Sequence, residues 1–268
     1  MPQDTRQAWS FHFRGGQRGM RCGNLDYWTA LETTRWVDLA RTVLMALIAP
    51  SLFAADFARL GAALEIIKAA GASMVHVDVC DGHFAPGITA GQPVVKAIRR
   101  ETDLDLDVHL LVEKPERYAA EFVKAGADRV AIHPEATTNL HRVLEIIRAS
   151  GAKAGAALNP STPLEAVSEL VRQVDFLTVL TADPNLGTED FIPSSVEKIR
   201  AAARLRDERR SNFAIQVEGG VTLDRVEELI RAGADILVAR SAIFDNENPK
   251  VRLAEWVRLA AGATEVRI

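Results

Sequence analysis

The chemistry-bearing residues of this 268-residue chain gather at the carboxyl ends of short apolar runs. His76 and Asp78 stand two apart in MVHVDV, and Asp107 and His109 stand two apart in LDLDVHLLV. Extended residues i and i+2 point to the same side, so each pair shares a face. Ser51 closes ALIAPS, Glu218 sits near the end of FAIQVEG, His133 and Asn159 lie near the ends of RVAIHP and KAGAALNP, and Asp183 follows DFLTVL. His76, Asp78, His109 and Glu218 can therefore converge as two imidazoles and two carboxylates. That donor set suits one divalent ion, Zn²⁺, Fe²⁺, Mn²⁺ or Co²⁺, and donor type does not choose among them. Any single histidine on an apolar strand is ordinarily a hydrogen-bonded core residue. Four polar side chains on three strand ends would each need a buried partner, and that favours a shared site.

The elements that must hold these residues alternate regularly from Met45 onward. Strands are expected at 46–51, 74–79, 104–112, 129–134, 153–160, 175–180, 213–219 and 236–240. Helices are expected near 56–70, 91–101, 115–125, 138–150, 163–172, 193–208, 222–232 and 249–261. Such alternation signals parallel β/α units. Most strands are apolar on both faces, as when helices cover the outside and packed layers fill the inside. Four helix-to-strand joints, AAGAS, KAGAD, RASGA and RAGAD, place Gly71, Gly126, Gly151 and Gly233 where a left-handed residue would end a helix. The expected fold is α/β, a single (β/α)8 TIM barrel over 45–268. A doubly wound open sheet is the alternative, but no G-x-G-x-x-G follows the first strand.

Composition narrows the function class. A chain 48% hydrophobic and 25% charged, with a net charge of −4, has no basic bias toward nucleic acid. No apolar run approaches the ~20 residues that span a bilayer. Cys22 and Cys80 are too few for a disulfide framework, and a reducing cytoplasm is the expected setting. Residues 1–44 differ from the rest: they hold Trp9, Trp28 and Trp36, no lysine and no clear period until about Trp28. They read as a poorly defined N-terminal extension, or translation starts at Met45.

At these residues the sequence resembles the ribulose-phosphate 3-epimerase family. The resemblance is carried by IAPSLFAADFARL (48–60), HVDVCDGHFAPGIT (76–89), LDVHLL (106–111), LNPSTPLE (158–165), FIPSSVEKI (191–199), VEGGVT (217–222) and SAIF (241–244). It implies that His76, Asp78, His109 and Glu218 bind one catalytic divalent metal, and that Asp78 and Glu218 are the acid–base pair. It further implies that Ser51, His76 and His109 contact the sugar, and that the phosphate lies among Leu186, Gly187, Thr188, Gly219, Gly220, Arg240 and Ser241. The partner would be a small-molecule sugar phosphate, and homo-oligomers are common in the family.

The chain also departs from that family pattern. Glu218 stands where the family has aspartate in V-D-G-G, adding a methylene that displaces the carboxylate by ~1 Å; a tolerated swap and altered activity are both consistent with it. The loop Asp183-Pro184-Asn185-Leu186-Gly187-Thr188-Glu189 replaces N-P-G-F-G-G-Q. It loses glycines that let backbone amides crowd a phosphate, and it gains negative charge. Arg240 replaces glycine, and its guanidinium could pair with phosphate in compensation or fill the pocket. Cys80, Leu111 and Leu180 replace methionines and read as apolar packing. Asp81 is expected to cap the turn at Gly82. His83 is expected to help order that loop, and His133 reads as structural.

The activity these features imply is epimerisation at C3 of D-ribulose 5-phosphate to D-xylulose 5-phosphate. Two alternatives stand beside it: a 3-epimerase for another ketose phosphate such as allulose 6-phosphate, and a metal- or ligand-binding barrel without catalysis. An orotidine-phosphate-decarboxylase-type barrel is excluded, because that family's D-x-K-x-x-D is absent: no lysine lies between Asp78 and Asp81.

Overall fold

The computed structural model describes residues 46–185 and 190–262. The extension expected at 1–44, Met45, and the loop residues Leu186, Gly187 and Thr188 lie outside the described residues. Eight parallel strands, β1 (Leu47–Pro50), β2 (Met74–Cys80), β3 (Asp105–Leu111), β4 (Arg129–Ile132), β5 (Lys153–Leu158), β6 (Phe176–Leu180), β7 (Ala214–Glu218) and β8 (Ile236–Ala239), follow one another around a sheet in which β1 pairs with β8. One isolated parallel bridge, Ser51 to His76, joins β1 to β2 and completes the ring. The helices are α1 (Leu60–Ala69), α2 (Gln92–Glu101), α3 (Ala119–Ala125), α4 (Leu140–Ala149), α5 (Ser195–Glu208), α6 (Val226–Ala232), α7 (Ser241–Phe244) and α8 (Pro249–Gly262). This is the (β/α)8 TIM barrel expected from the alternation.

The strands fall inside the predicted ranges to within a residue, and Gly71, Gly126, Gly151 and Gly233 are all left-handed, with φ between 83° and 114°. One expected helix is different. At 163–172 the chain makes a 3-10 turn, Leu164–Ala166, followed by further turns closed mostly from residue i to i+3. Buried Val167 and Val171 are β-branched, and the χ1 freedom they would lose in an α-helix lowers their helix propensity slightly. The Ser168 hydroxyl also donates to the Glu165 carbonyl, a local bond that competes with the helical ladder.

Inside the ring the side chains lie in strata. Near the amino end Ala49, Met74, Ile236 and Val238 form one apolar cluster, and Ala131, Ala157 and Phe176 form another. The Phe176 ring fits because its neighbour across the ladder is Gly155, where a Cβ would sit 2.3 Å from the ring. Above this plug the inward faces turn polar: His76 and Asp78 on β2, Asp107 and His109 on β3, Thr178 on β6, and Gln216 and Glu218 on β7 are all buried. The period of two within each strand carries that polarity upward to the mouth.

The amino end is tied by a device used three times. An aspartate just before an even strand accepts a backbone N–H from the preceding odd strand and a guanidinium from the helix that leads into that odd strand. Asp128 takes Leu106 N at 2.8 Å and Arg99 at 2.8 Å. Asp175 takes Ala154 N at 2.8 Å and Arg148 at 3.4 Å. Asp235 takes Ile215 N at 2.7 Å, and Arg206 closes on the same carboxylate. Hydrogen bonds to charged groups contribute about 1.5–3 kcal/mol each when buried. Asp235→Ala should therefore lower the unfolding free energy by about 2–3 kcal/mol in urea titration while leaving divalent-metal affinity unchanged, since the residue lies at the end opposite the barrel mouth.

Candidate metal centre and active site

At the carboxyl ends of β2, β3 and β7 the structure brings together the four residues expected to converge. His76, Asp78, His109 and Glu218 each offer a donor atom, and these atoms all lie within 4.8 Å of one another. Both histidines are inaccessible to solvent, and Asp78 and Glu218 are only 3% and 8% exposed. His76 Nε2 is 3.2 Å from Asp78 Oδ1 and 3.5 Å from Glu218 Oε2. His109 Nδ1 is 3.0 Å from Glu218 Oε2 and 3.5 Å from Asp78 Oδ1. Glu218 Oε2 nevertheless makes no hydrogen bond, despite its burial. Ser51 supports the group from β1's end: its hydroxyl donates to Asp78 Oδ2 at 2.8 Å.

Burial by itself disfavours every charge here, yet the groups titrate the other way because they face one another. Desolvation pushes His76 and His109 down, but the Asp78 and Glu218 carboxylates outweigh it, leaving His76 well above its ordinary value and His109 at about 9. Burial likewise pushes Asp78 and Glu218 up, and the two imidazoles bring both below the usual carboxylate range. The resulting state is two protonated imidazoles locked between two carboxylates. A divalent ion carries the charge of those two protons and has the required donors, two imidazole nitrogens and two carboxylates at neighbouring positions. The cluster fits a metal by burial, donor chemistry and charge.

The ligand histidines are in turn held from behind. His76 Nδ1 is 2.7 Å from Asp107 Oδ2, which also accepts from Gln216 Nε2 at 2.9 Å. His109 Nε2 is 2.9 Å from His133 Nε2. His133, read from sequence as structural, thus touches the centre directly. Its sequence signal was slight, a histidine one residue beyond a short buried strand; its neighbour across the ladder appears only in three dimensions.

A cavity of about 150 Å³ opens above the cluster, lined among others by Asp78, Glu218, Phe53, Leu111, Leu180 and Arg240. The two acids face this space, whereas the histidines lie beneath it. Arg240 stacks its guanidinium 4.9 Å from the centre of the Phe53 ring. Cys80 also lines the cavity, and burial beside Asp78 pushes its thiol up to about 12, so it stays protonated and behaves as a small apolar residue. Gly219 and Gly220 follow Glu218 with φ of 104° and 62°; a Cβ on Gly219 would lie 2.7 Å from Ala182 N, so the two loops touch backbone to backbone. Ser241 opens α7 beside Arg240. As expected, Asp81 caps the turn at Gly82, accepting from His83 N and Phe84 N at 2.9 Å, and it also holds Glu113 N at 2.8 Å. A wider hollow of about 810 Å³ lies at the amino end, but two of its acids, Asp128 and Asp175, are already engaged by arginines and backbone amides.

Among the described residues, no helix is long and apolar enough to cross a membrane. Several solved structures share the fold. A thiamine phosphate pyrophosphorylase from Pyrococcus furiosus superposes with a TM-score of 0.57 at 18% identity, covering 84% of this chain and all of that one. A tryptophan synthase α-subunit from the same organism gives 0.56 at 17% identity, covering 82% and 97%. Sequence relatives are nearer. The ribulose-phosphate 3-epimerase of Bacillus subtilis is 42% identical over 212 residues, 79% of this chain and 98% of the relative. The chloroplastic ribulose-5-phosphate-3-epimerase of Arabidopsis thaliana is 44% identical over 200 residues, 74% of this chain and 71% of the relative. Residues 47–244 match the family described as "Ribulose-phosphate 3 epimerase family", and with this match spanning every strand of the barrel, the chain belongs to the ribulose-phosphate 3-epimerase family.

Proposed function

We propose that this protein epimerises C3 of a ketopentose phosphate, converting D-ribulose 5-phosphate to D-xylulose 5-phosphate, with Asp78 and Glu218 as its two bases. The observation that carries this reading is that these two acids, and neither ligand histidine, line the cavity above the cluster. His76, Asp78, His109 and Glu218 would hold one divalent ion, Zn²⁺, Fe²⁺, Mn²⁺ or Co²⁺. Bound there, it would offset the negative charge that builds on the substrate's ketone and hydroxyl oxygens. The free, buried thiol of Cys80 supports a reducing, cytoplasmic setting.

The rest follows from the protein's own side chains. The proton on the carbon beside a ketone is only weakly acidic, so a base must meet it and the developing charge must be stabilised. Inversion needs a second group to return a proton from the other face; a single base would tend to restore the original configuration. Asp78 and Glu218 come from strands separated by β1 and β8, which supports action from different sides. The neighbouring imidazoles hold both carboxylates below the usual range, so one can accept the C3 proton as it stands, whereas its partner must first take up a proton before it can return one. The Ser51 hydroxyl fixes the Asp78 carboxylate by its hydrogen bond. Ser51, His76 and His109 lie off the cavity lining, so they would act on the sugar by holding the two carboxylates in place rather than by touching it. At the far end Arg240, with Gly219, Gly220, Ser241 and the loop carrying Leu186, Gly187 and Thr188, would receive the phosphate. Phe53 stacking holds the guanidinium at the cavity wall and supports the compensating role over simple filling.

Three outcomes test this reading. In D₂O with D-ribulose 5-phosphate and added Co²⁺ or Mn²⁺, NMR should show deuterium entering at C3. Asp78→Asn and Glu218→Gln should each slow that exchange by roughly 10²–10⁴-fold, the range for a positioned acid–base group; exchange at the unaltered rate in either variant would remove it as a base. Exchange with allulose 6-phosphate but not with ribulose 5-phosphate would transfer the activity to another ketose phosphate, and none with either would leave a binding barrel. Arg240→Ala should raise KM for the phosphorylated ketose by roughly 10–100-fold, matching a charged hydrogen bond, with little change for unphosphorylated ribulose; tighter binding by Arg240→Gly would end the compensation idea. Finally, His109 holds its proton up to about pH 9 in the metal-free protein. A ligand nitrogen must shed its proton, so apparent metal affinity should rise with pH up to about 9, and calorimetry in buffers of different ionisation enthalpy should detect proton release on binding.

A further inference from the structure

The two histidines of the cluster turn different nitrogens toward the carboxylates. His76 presents Nε2, 3.2 Å from Asp78 Oδ1, while its Nδ1 faces Asp107 Oδ2 at 2.7 Å. His109 presents Nδ1, 3.0 Å from Glu218 Oε2, while its Nε2 faces His133 Nε2 at 2.9 Å. An imidazole can give a lone pair to a cation only from the nitrogen that carries no hydrogen, so the group behind each ring decides which nitrogen is free. Resting on the metal-centre reading above, we propose that Asp107 and His133 are positioning residues that impose opposite tautomers on the two ligand histidines: Nδ1–H on His76 and Nε2–H on His109.

The chemistry is constrained at each step. An ionised carboxylate only accepts, so Asp107 places the His76 hydrogen on Nδ1. Gln216 Nε2 donates to the same Asp107 oxygen at 2.9 Å and fixes its orientation. Two ring nitrogens 2.9 Å apart need one hydrogen between them. If His109 is to offer Nδ1, that hydrogen belongs to His109 Nε2 and His133 accepts it. His133 then carries its own hydrogen on Nδ1, which looks toward Glu135 Oε2 at 3.4 Å, a long contact. Glu135 is itself anchored: its Oε1 accepts from Asn159 N at 3.2 Å and from the Thr162 hydroxyl. Lys198 on α5 donates to the carbonyls of Asn159, Pro160 and Thr162 at 2.9, 2.8 and 2.6 Å. One ligand ring thus leans on a buried anion and the other on a neutral ring, so the two imidazoles are made unequal donors.

The test uses the full-length, metal-stripped protein titrated with Co²⁺ against a competing chelator, with the visible Co²⁺ spectrum recorded and folding checked by thermal melting. Asp107→Asn and His133→Leu should weaken Co²⁺ binding by roughly 10–100-fold, the usual cost of losing an outer partner of a ligand, and should alter the spectrum. His133→Gln, which keeps an acceptor, should recover much of the affinity. Histidine ¹⁵N NMR of the Zn²⁺-loaded wild-type protein should find the hydrogen on Nδ1 of His76 and on Nε2 of His109, a readout independent of any variant's folding. Wild-type-like affinity and spectrum in folded Asp107→Asn and His133→Leu would overturn the proposal, as would reversed tautomers. If the wild-type chain itself binds no Co²⁺, the metal-centre reading falls and takes this proposal with it, whereas intact wild-type binding beside unaffected variants removes the positioning role alone.

Discussion

Everything at the barrel mouth follows from the cost of burying two carboxylates together. Asp78 and Glu218 repel each other and have lost almost all contact with water, so the site is tenable only with positive charge between them. His76 and His109 supply it, and their own burial is tolerable only because those acids stand beside them. The four residues are therefore one electrostatic unit. Replacing any of them leaves an uncompensated charge in a place water barely reaches. Below, Asp107 adds a third buried carboxylate, held by His76 and Gln216, so the polar stratum continues one layer down before the apolar plug of Phe176 and its neighbours.

That unit also separates binding from reaction by depth. The imidazoles are sunk beneath the cavity floor, and the carboxylates reach up into it. Apolar Leu111 and Leu180 line the same space, together with Arg240 and a third acid, Asp183.

Much of this was legible in the chain itself, for a definite reason. Strand position and face depend on a period of two, which is local, so HVDV and DVH declared both their strands and their shared faces. The left-handed glycines declared the helix ends because no other residue takes that conformation cheaply. What escaped was non-local. The partnership of His133 with His109 depends on β3 lying beside β4 at one register. The aspartate device was half visible, since Asp128 and Asp235 sit in the noted K/RAGAD joints, but their arginine partners lie about 29 residues away in the chain. The turns at 164–173 misled because Leu164, Val167 and Val171 keep a helical spacing although the backbone winds more tightly.

The barrel's seam gives the site a mechanical meaning. Seven neighbouring strand pairs share ladders, whereas β1 and β2 meet through the single bridge between Ser51 and His76. Those two residues belong to the polar cluster, and Ser51 reaches across the join to Asp78. Ligands on β2 and β3 lie to one side of that join, and Glu218 on β7 lies to the other. An ion gripped by all of them would act as a clasp over the weakest hoop of the cylinder, so occupancy would stiffen the whole ring by mass action, and its loss would loosen the protein first at the place where it works.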